Sequence, residues 1–400
     1  MSAAKPRRLN HLDPGQGAIK TQFLEKTLSL SNRNPVGARV SQHMRPPLVH
    51  RKPTMSDVAR LAGVATMTVS RVLSGNAYVS TSSTQRVLRA VEQLKYRPNE
   101  LARAFRGQRS HSIGLIIPCL NEAFFATCAH AVTSVAKEHG YSVIITTTAE
   151  DPKTEYAEAE RMLERHVDGL VVIPSKFRQS RLTRNLFGRT PVVTFDRPVP
   201  DPSLDVVLVQ NTAGARRIVE HLIEHGHKHI AHLGLSRSLF TINARFLGYR
   251  RAMLEAGLET DASFDCTTEQ VTVEILKKKM ESSRPPTALF TSNTKVTRFA
   301  LNAVARLGMN IPNDLAMVGF DDFDMAEVTS PPLTVVRQPA YEMGLAATKL
   351  LFDRISVGET PYVGNRIVLP VEIVLRNSCG CKNSVPVVIR SGNWGGEPAA

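Results

Sequence analysis

Residues 55–74 read Met55-Ser-Asp-Val-Ala-Arg-Leu-Ala-Gly-Val-Ala-Thr-Met-Thr-Val-Ser-Arg-Val-Leu-Ser74, and this stretch decides how the front of the chain folds. Thr54 or Ser56 offers a hydroxyl to cap a first helix, and Asp57 puts a carboxylate in its opening turn, where the helix dipole favours it. Val58, Ala59 and Ala62 supply an apolar face. Gly63 then breaks the helix, because a residue without Cβ adopts the left-handed backbone of a turn at no cost. A second helix is expected from about Ala65 to Ser74, with Val69 and Val72 inward and Gly75-Asn76 as its stop. A third starts at a Ser80 cap and buries Val87, Val91 and Leu94, spaced i, i+4 and i+7, before Pro98 ends the unit.

Position by position this is a helix-turn-helix, so residues 53–97 are expected to form a small all-α head. Ala59 is small where two helices approach closely, and Val69 anchors the second helix to the first. Such a second helix lies in the major groove with its first residues at the base edges. That nominates Thr66, Met67 and Arg71 for base contacts. Arg71 can grip guanine through two N–H groups, and the carbons of Thr66 and Met67 can meet thymine methyls. Thr68, Ser70 and Ser83 are candidates for phosphate contacts.

Charge separates this reading from a chance pair of short helices around a glycine. The chain of 400 residues carries a net charge of +14. Residues 1–110 hold 19 basic and 5 acidic residues, so they account for all of it, and the remaining 290 residues balance 31 of each sign. A basic front on a neutral body predicts that the front meets a polyanion and the body does something else. Residues 1–52 mix Pro, Arg, Asn and Ser without periodicity and are expected to be a disordered basic tail. Residues 98–110 read as a linker whose amphipathic segment, Asn99–Arg106, is too short to be a stable helix alone.

From Ser112 the texture changes. Continuous apolar runs at Ile113–Pro118, Val143–Thr147, Gly169–Pro174, Val192–Asp196, Val206–Val209, Ile230–Gly234, Ala288–Ser292 and Leu315–Phe320 alternate with helical patterns such as Ala126–His139 and Tyr341–Ser356. Such runs predict parallel strands covered on both faces, and their number favours two similar lobes over one sheet. The expected fold is therefore a helix-turn-helix head joined to an α/β core. Residues 378–400 are expected to be a disordered tail.

These residues also carry a resemblance. Asp57-Val-Ala-x-x-Ala-Gly-Val64, Thr68-Val-Ser-Arg-Val-Leu73, Val79-Ser80, Leu94-x-Tyr96-x-Pro98-Asn99 and Asn99-x-x-Ala102-x-x-Phe105-x4-Ser110 together resemble the lactose/galactose-repressor (LacI/GalR) family. Gly140-Tyr141, Asp168-Gly169, His225-Gly226-His227, Arg245-x-x-Gly248-Tyr249, Ile311-Pro312, Gly319-Phe320-Asp321-Asp322, Pro332-Leu333-Thr334 and Gln338-Pro339 follow in the family's order. The start of the second helix, Thr66-Met67-Thr68, resembles the gluconate-repressor subgroup.

The resemblance covers about residues 54–377 and implies a ligand-responsive transcription regulator, by default a repressor, in the cytoplasm. It implies a homodimer, with a tetramer left open, on a near-palindromic duplex operator. It further implies a hinge helix in which Asn99, Ala102 and Phe105 meet the minor groove; Phe105 stands where the family usually has a wedging leucine. The implied core (111–377) resembles a periplasmic sugar-binding protein with two Rossmann-like lobes, lobe one at about 112–208 and 340–366, lobe two at about 209–339 and 367–377. A sugar or sugar acid would bind between them, at Phe124, Phe125, Asp196, Thr241, Arg245, Asn293 and Asp321. Carboxylates and Arg would bond hydroxyls while an aromatic ring covers the sugar's apolar face. Taken singly, each of these residues also fits a structural ion pair or a strand-end cap.

Other classes fit the sequence less well. A transport receptor on the same core predicts a signal peptide and no basic head, and the sequence shows the reverse. No apolar run is long enough to span a bilayer, so no membrane partner is expected. An enzyme, for instance a glycosidase, would need paired carboxylates, and adjacent Asp321 and Asp322 point in different directions. Five scattered cysteines are no disulfide framework. Cys379-Gly-Cys381 lacks a partner pair nearby in sequence, and His225-Gly-His227-x-His229 reads as a helix end and turn, so no metal or cofactor is expected.

Overall fold

The computed structural model describes residues 53–73, 79–96, 109–358, 363–382 and 385–390. The expectations for residues 1–52, Gly75-Asn76, the hinge residues Asn99, Ala102 and Phe105, and residues 391–400 lie outside the described residues. The head and the α/β body are separate compact units.

The head holds helices α1 (Met55–Ala62), α2 (Thr66–Leu73) and α3 (Thr81–Gln93). Thr54 and Asp57 form a reciprocal capping box: the Asp57 N–H donates to Thr54 Oγ1, and the Thr54 N–H donates to the Asp57 carboxylate at 2.9 Å. Gly63 takes φ 62°, ψ 41° and closes α1. The turn then delivers α2, which starts at Thr66 and not at Ala65; the Ala65 carbonyl accepts the N–H groups of Thr68 and Val69. Ser80 caps α3 by accepting the Ser83 N–H. Val58, Ala59, Ala62, Val69, Val87, Ala90 and Tyr96 form the buried core.

The body contains two sheets. The first has the order β11-β5-β4-β3-β1-β2, from β1 (Ser112–Ile117), β2 (Ser142–Thr147), β3 (Gly169–Val172), β4 (Val192–Phe195), β5 (Asp205–Val209) and β11 (Arg366–Leu369). All its pairs are parallel. The second has the order β13-β12-β10-β9-β8-β6-β7, from β6 (Ile230–Leu233), β7 (Asp261–Ser263), β8 (Ala288–Thr291), β9 (Ala316–Phe320), β10 (Thr334–Arg337), β12 (Glu372–Leu375) and β13 (Val387–Arg390). Only β12 runs against the others, pairing antiparallel with both β10 and β13. The apolar strands lie buried under helices on both faces, as their unbroken hydrophobicity requires.

Two helix pairs pack with glycine at the crossing. In lobe one, α4 (Ala123–Glu138) meets α11 (Ala340–Val357) at Gly344, where an added Cβ would lie 2.6 Å from the Cys128 carbonyl oxygen. In lobe two, α7 (Asn211–Glu224) meets α8 (Phe240–Glu255) at Gly248, where a Cβ would lie 2.3 Å from the Thr212 carbonyl oxygen. The remaining helices are α5 (Pro152–Glu164), α6 (Arg184–Phe187), α9 (Glu269–Met280) and α10 (Thr294–Arg306). Among the described residues, no helix is long and apolar enough to cross a membrane.

Two sequence expectations need correction. The return to lobe two does not fall at about residue 367: β11 stays in the first sheet beside β5, and the chain crosses between Leu369 and Glu372, where Pro370 has no N–H for a ladder. Residues 378–382 and 385–390 are also not a free tail. The Ser378 hydroxyl donates to the Met317 carbonyl at 2.6 Å and accepts the Thr334 N–H at 2.8 Å, and β13 pairs with β12. The short strand Val387–Arg390 covers the open edge of β12.

Candidate functional site

On α2 the candidate base readers Thr66, Met67 and Arg71 are exposed, while Val69 on the opposite face is fully buried. Met67 shows 63% of its surface. Thr68 and Ser70 are half-buried beside that face. Ser83 is already engaged in the α3 cap, bonded by Ser80 Oγ at 3.1 Å and by Arg86 Nη2 at 3.3 Å.

In the body, Phe124, Phe125, Asp196, Thr241, Arg245, Asn293 and Asp321 all line one cavity, together with Glu122, Glu150, Arg197, Lys295 and Gln338. The lining comes from the carboxyl ends of parallel strands in both sheets, where open α/β sheets place their ligands. Phe124 and Phe125 sit in the first turn of α4, which begins three residues earlier than its sequence pattern indicates. Their rings meet edge to face at 5.4 Å; Phe124 stays half-exposed while Phe125 belongs to the core. Asp196 follows β4 with φ 64° and Asp321 follows β9 with φ 79°, a left-handed turn that Asp tolerates.

Lobe two holds the cation Arg245 on rigid partners. Its Nε donates to Asn211 Oδ1 at 2.9 Å, and its Nη1 donates to the Ser292 carbonyl at 2.8 Å and to Asp321 Oδ2 at 3.4 Å. The guanidinium lies 3.8 Å from the Phe320 ring centroid. Its Nη2 has no hydrogen-bond partner among the described residues. Gln338 Nε2 donates to Asp321 Oδ1, and Gln338 Oε1 is buried without a partner among the described residues. Lobe one mirrors this with Arg197, which pairs bidentately with Glu150 at 2.6 and 2.9 Å and with Asp196 at 3.2 Å.

Burial dominates the electrostatics. It raises the Asp196 carboxyl above the usual range, although Arg197 and Arg245 pull it down. Burial and the neighbouring Asp321 raise Glu122. Burial lowers Arg245, and Asp321 and Asp196 oppose that shift. The cavity thus offers fixed donors and acceptors of both signs beside an aromatic wall, a lining suited to orienting a small polar molecule. Asn293 also caps α10 by accepting the Val296 N–H at 3.2 Å, and Thr241 is buried on α8.

Sequence reasoning missed Glu150, Arg197 and Gln338 in the cavity lining; Phe177 and Phe240, whose rings approach to 6.2 Å, lie outside it. A signal for the first three was present: each lies within three residues of the end of a predicted or observed strand.

A helix-turn-helix head before a two-sheet α/β body with a cleft at its strand ends defines a ligand-responsive DNA-binding regulator. Comparison with known proteins supports the same class. Residues 54–99 match the model of bacterial regulatory proteins of the lacI family, and residues 219–379 match that of a periplasmic binding protein-like domain. The ribose operon repressor of Halalkalibacterium halodurans is 33% identical over 335 residues, 83% of this chain and 98% of that protein. The HTH-type transcriptional repressor PurR of Mannheimia succiniciproducens is 30% identical over 81% of this chain and 98% of its own. The solved structure of the transcriptional regulator CelR with cellobiose matches with a TM-score of 0.60 at 30% identity, over 82% of this chain and 99% of that one. The chain belongs to the LacI family of bacterial transcription regulators. It is a DNA-binding regulator of transcription and not an enzyme.

Proposed function

We propose that this protein is a cytoplasmic, homodimeric repressor whose α2 reads one half of a near-palindromic operator, and whose cleft takes a sugar or sugar acid that resets DNA affinity. The head would span 53–97, the hinge 98–110, and the core would run from 111 to the end of β13. Two heads related by a two-fold axis require a two-fold target. Thr66, Met67 and Arg71 would contact bases, with Thr68, Ser70 and Ser83 toward phosphates and Asn99, Ala102 and Phe105 in the minor groove.

The observation that carries the ligand reading is the Arg245 geometry. A buried guanidinium is locked by Asn211, Ser292 and Asp321 and keeps Nη2 for a guest in the cavity. Asp196, Asp321 and Gln338 supply acceptors around it, and Phe124 supplies a ring. Relatives named for the ribose operon and solved with cellobiose support a carbohydrate. The ligand would favour one spacing of the lobes, and DNA affinity would change by its difference in affinity for the two states.

The test is a melting-temperature screen of the full chain against pentoses, hexoses, disaccharides and aldonic acids, followed by operator binding with each hit. A ligand that binds the folded state raises the melting temperature. At least one hit should also change operator affinity. A hit set with no effect on DNA binding, or no hit at all, would remove the cleft from the mechanism.

A further inference from the structure

The fold brings together two motifs that lie far apart in the chain. Helix α7 carries His221 and ends at His225, one turn on and on the same face. The segment after β12 carries Cys379-Gly-Cys381, with Gly380 at φ 94°, a turn that a side chain would strain. His221 and Cys379 are 158 residues apart, yet His221 Nε2 lies 3.3 Å from Cys379 Sγ and 3.5 Å from Cys381 Sγ. Cys381 Sγ lies 3.3 Å from His225 Nε2. The donor atoms of His221, Cys379 and Cys381 all fall within 4.8 Å of one another.

We propose that His221, Cys379 and Cys381 hold a zinc-class divalent cation, and that His225, whose Nε2 reaches Cys381 but lies outside the close cluster of the other three donors, turns in as the fourth ligand of a tetrahedral site. Thiolate and imidazole bonds of about 2.3 and 2.05 Å, set at the tetrahedral angle, give a nitrogen–sulfur edge of about 3.6 Å. The three observed edges are close to that value. Without an ion the same groups hydrogen-bond, Cys379 Sγ donating to the Arg376 carbonyl at 3.4 Å, and deprotonation on metal binding would release that contact.

The surroundings orient the donors. His225 Nδ1 lies 2.9 Å from the His221 carbonyl, so it carries the proton and leaves the Nε2 lone pair toward Cys381. The Thr334 hydroxyl donates to Cys379 Sγ at 3.2 Å, as an outer partner of a thiolate does. A groove lined by His227, Asn313, Asn377, Cys381 and Lys382 gives an entry path. Mixed sulfur and imidazole donors select zinc over magnesium or calcium. Binding forms two metal–sulfur and two metal–nitrogen bonds and releases the two thiol protons to solvent. All four donors belong to lobe two, so the ion would be structural: it ties the segment leading to β13 onto α7. This replaces the expectation of no metal drawn from sequence spacing.

The experiment uses the untagged full chain, stripped by a chelator under reducing conditions and titrated with Co²⁺ and then Zn²⁺. One equivalent of Co²⁺ per chain should give a thiolate-to-cobalt charge-transfer band and the intense d–d bands of tetrahedral geometry, both erased by Zn²⁺. Cys381→Ser and His225→Ala should each weaken binding by more than the roughly 10–100-fold expected of an outer-shell change. Cys119→Ser, remote from these donors, should leave the bands intact. Chelation should lower the melting temperature of the native chain and not that of Cys381→Ser. Failure of the native chain to bind Co²⁺, cobalt bound without a thiolate band, or bands that survive Cys381→Ser would each overturn the proposal.

Discussion

Replacing Arg245 with alanine separates the two jobs the structure gives this side chain. Arg245 is 3% exposed and donates to Asn211, Ser292 and Asp321 while covering the Phe320 ring. Truncation strips the Asn211 oxygen, the Ser292 carbonyl and a nearly buried carboxylate of one donor each. Breaking a buried ion pair on one side costs about 3–5 kcal/mol, and denaturant unfolding of the full chain should show a loss of that order. The second loss falls on the ligand. A hydrogen bond from a charged donor is worth about 1.5–3 kcal/mol, so affinity for the sugar or sugar acid found by screening should fall roughly 10- to 150-fold. Arg245→Lys controls for charge. It keeps the cation but has no planar fork to reach Asn211 and Ser292 while still facing the cavity, so stability should partly recover and ligand affinity should not. Calorimetric titration reads the affinity, and operator release reads the response. An Arg245→Ala protein that responds at the native ligand concentration would refute the assignment of Arg245 to the ligand site, whatever its stability.

Arg71→Ala should weaken operator binding by roughly 1–3 kcal/mol and relax specificity at one base position, read by gel shift against single-base operator variants; unchanged selectivity would take Arg71 off the bases. Burial among Phe246, Tyr249, Phe264 and Phe290, with a smaller push from Lys279, lowers the His232 imidazole to about 3. The unfolded chain therefore takes up a proton that the folded one refuses, so stability is complete above about pH 6.5 and falls as pH drops toward 3. Between pH 7 and 5 this group should account for about 2 kcal/mol, a slope that His232→Leu should lack; parallel slopes for the two proteins would show that His232 is not the source. Gly248→Ala should destabilise the body by about 1–3 kcal/mol, because its Cβ would meet the Thr212 carbonyl oxygen at 2.3 Å. A melting temperature equal to the native one would show that α7 and α8 re-space without cost.

What the sequence discloses follows the range of the forces involved. The Thr54 and Ser80 caps and the Gly63 turn are set by residues within a few positions, and they stand where the sequence places them. The parallel strands announce themselves by unbroken hydrophobicity. Their division between lobes does not, because crossovers join distant segments and the lobe limits came from the family resemblance. Pro370 marks the switch between β11 and β12, but it sits inside an otherwise apolar stretch that reads as continuous. Asp321 and Asp322 do diverge: Asp321 meets Arg245 and Gln338, and Asp322 pairs with Arg337 and Arg376. Glu150 and Arg197 meet across 47 residues, and His221 and Cys379 across 158, so folding alone makes those constellations.

The central claim is that α2 reads duplex sequence while the cleft of the α/β body sets how firmly. Selection of binding sites from a random duplex pool by the purified full chain, with and without a cleft ligand, measures this directly. Enrichment of one near-palindromic site, with affinity that shifts when ligand is added, is the predicted result. Retention of random duplex at the same affinity as every selected sequence, unaltered by any ligand, would contradict it.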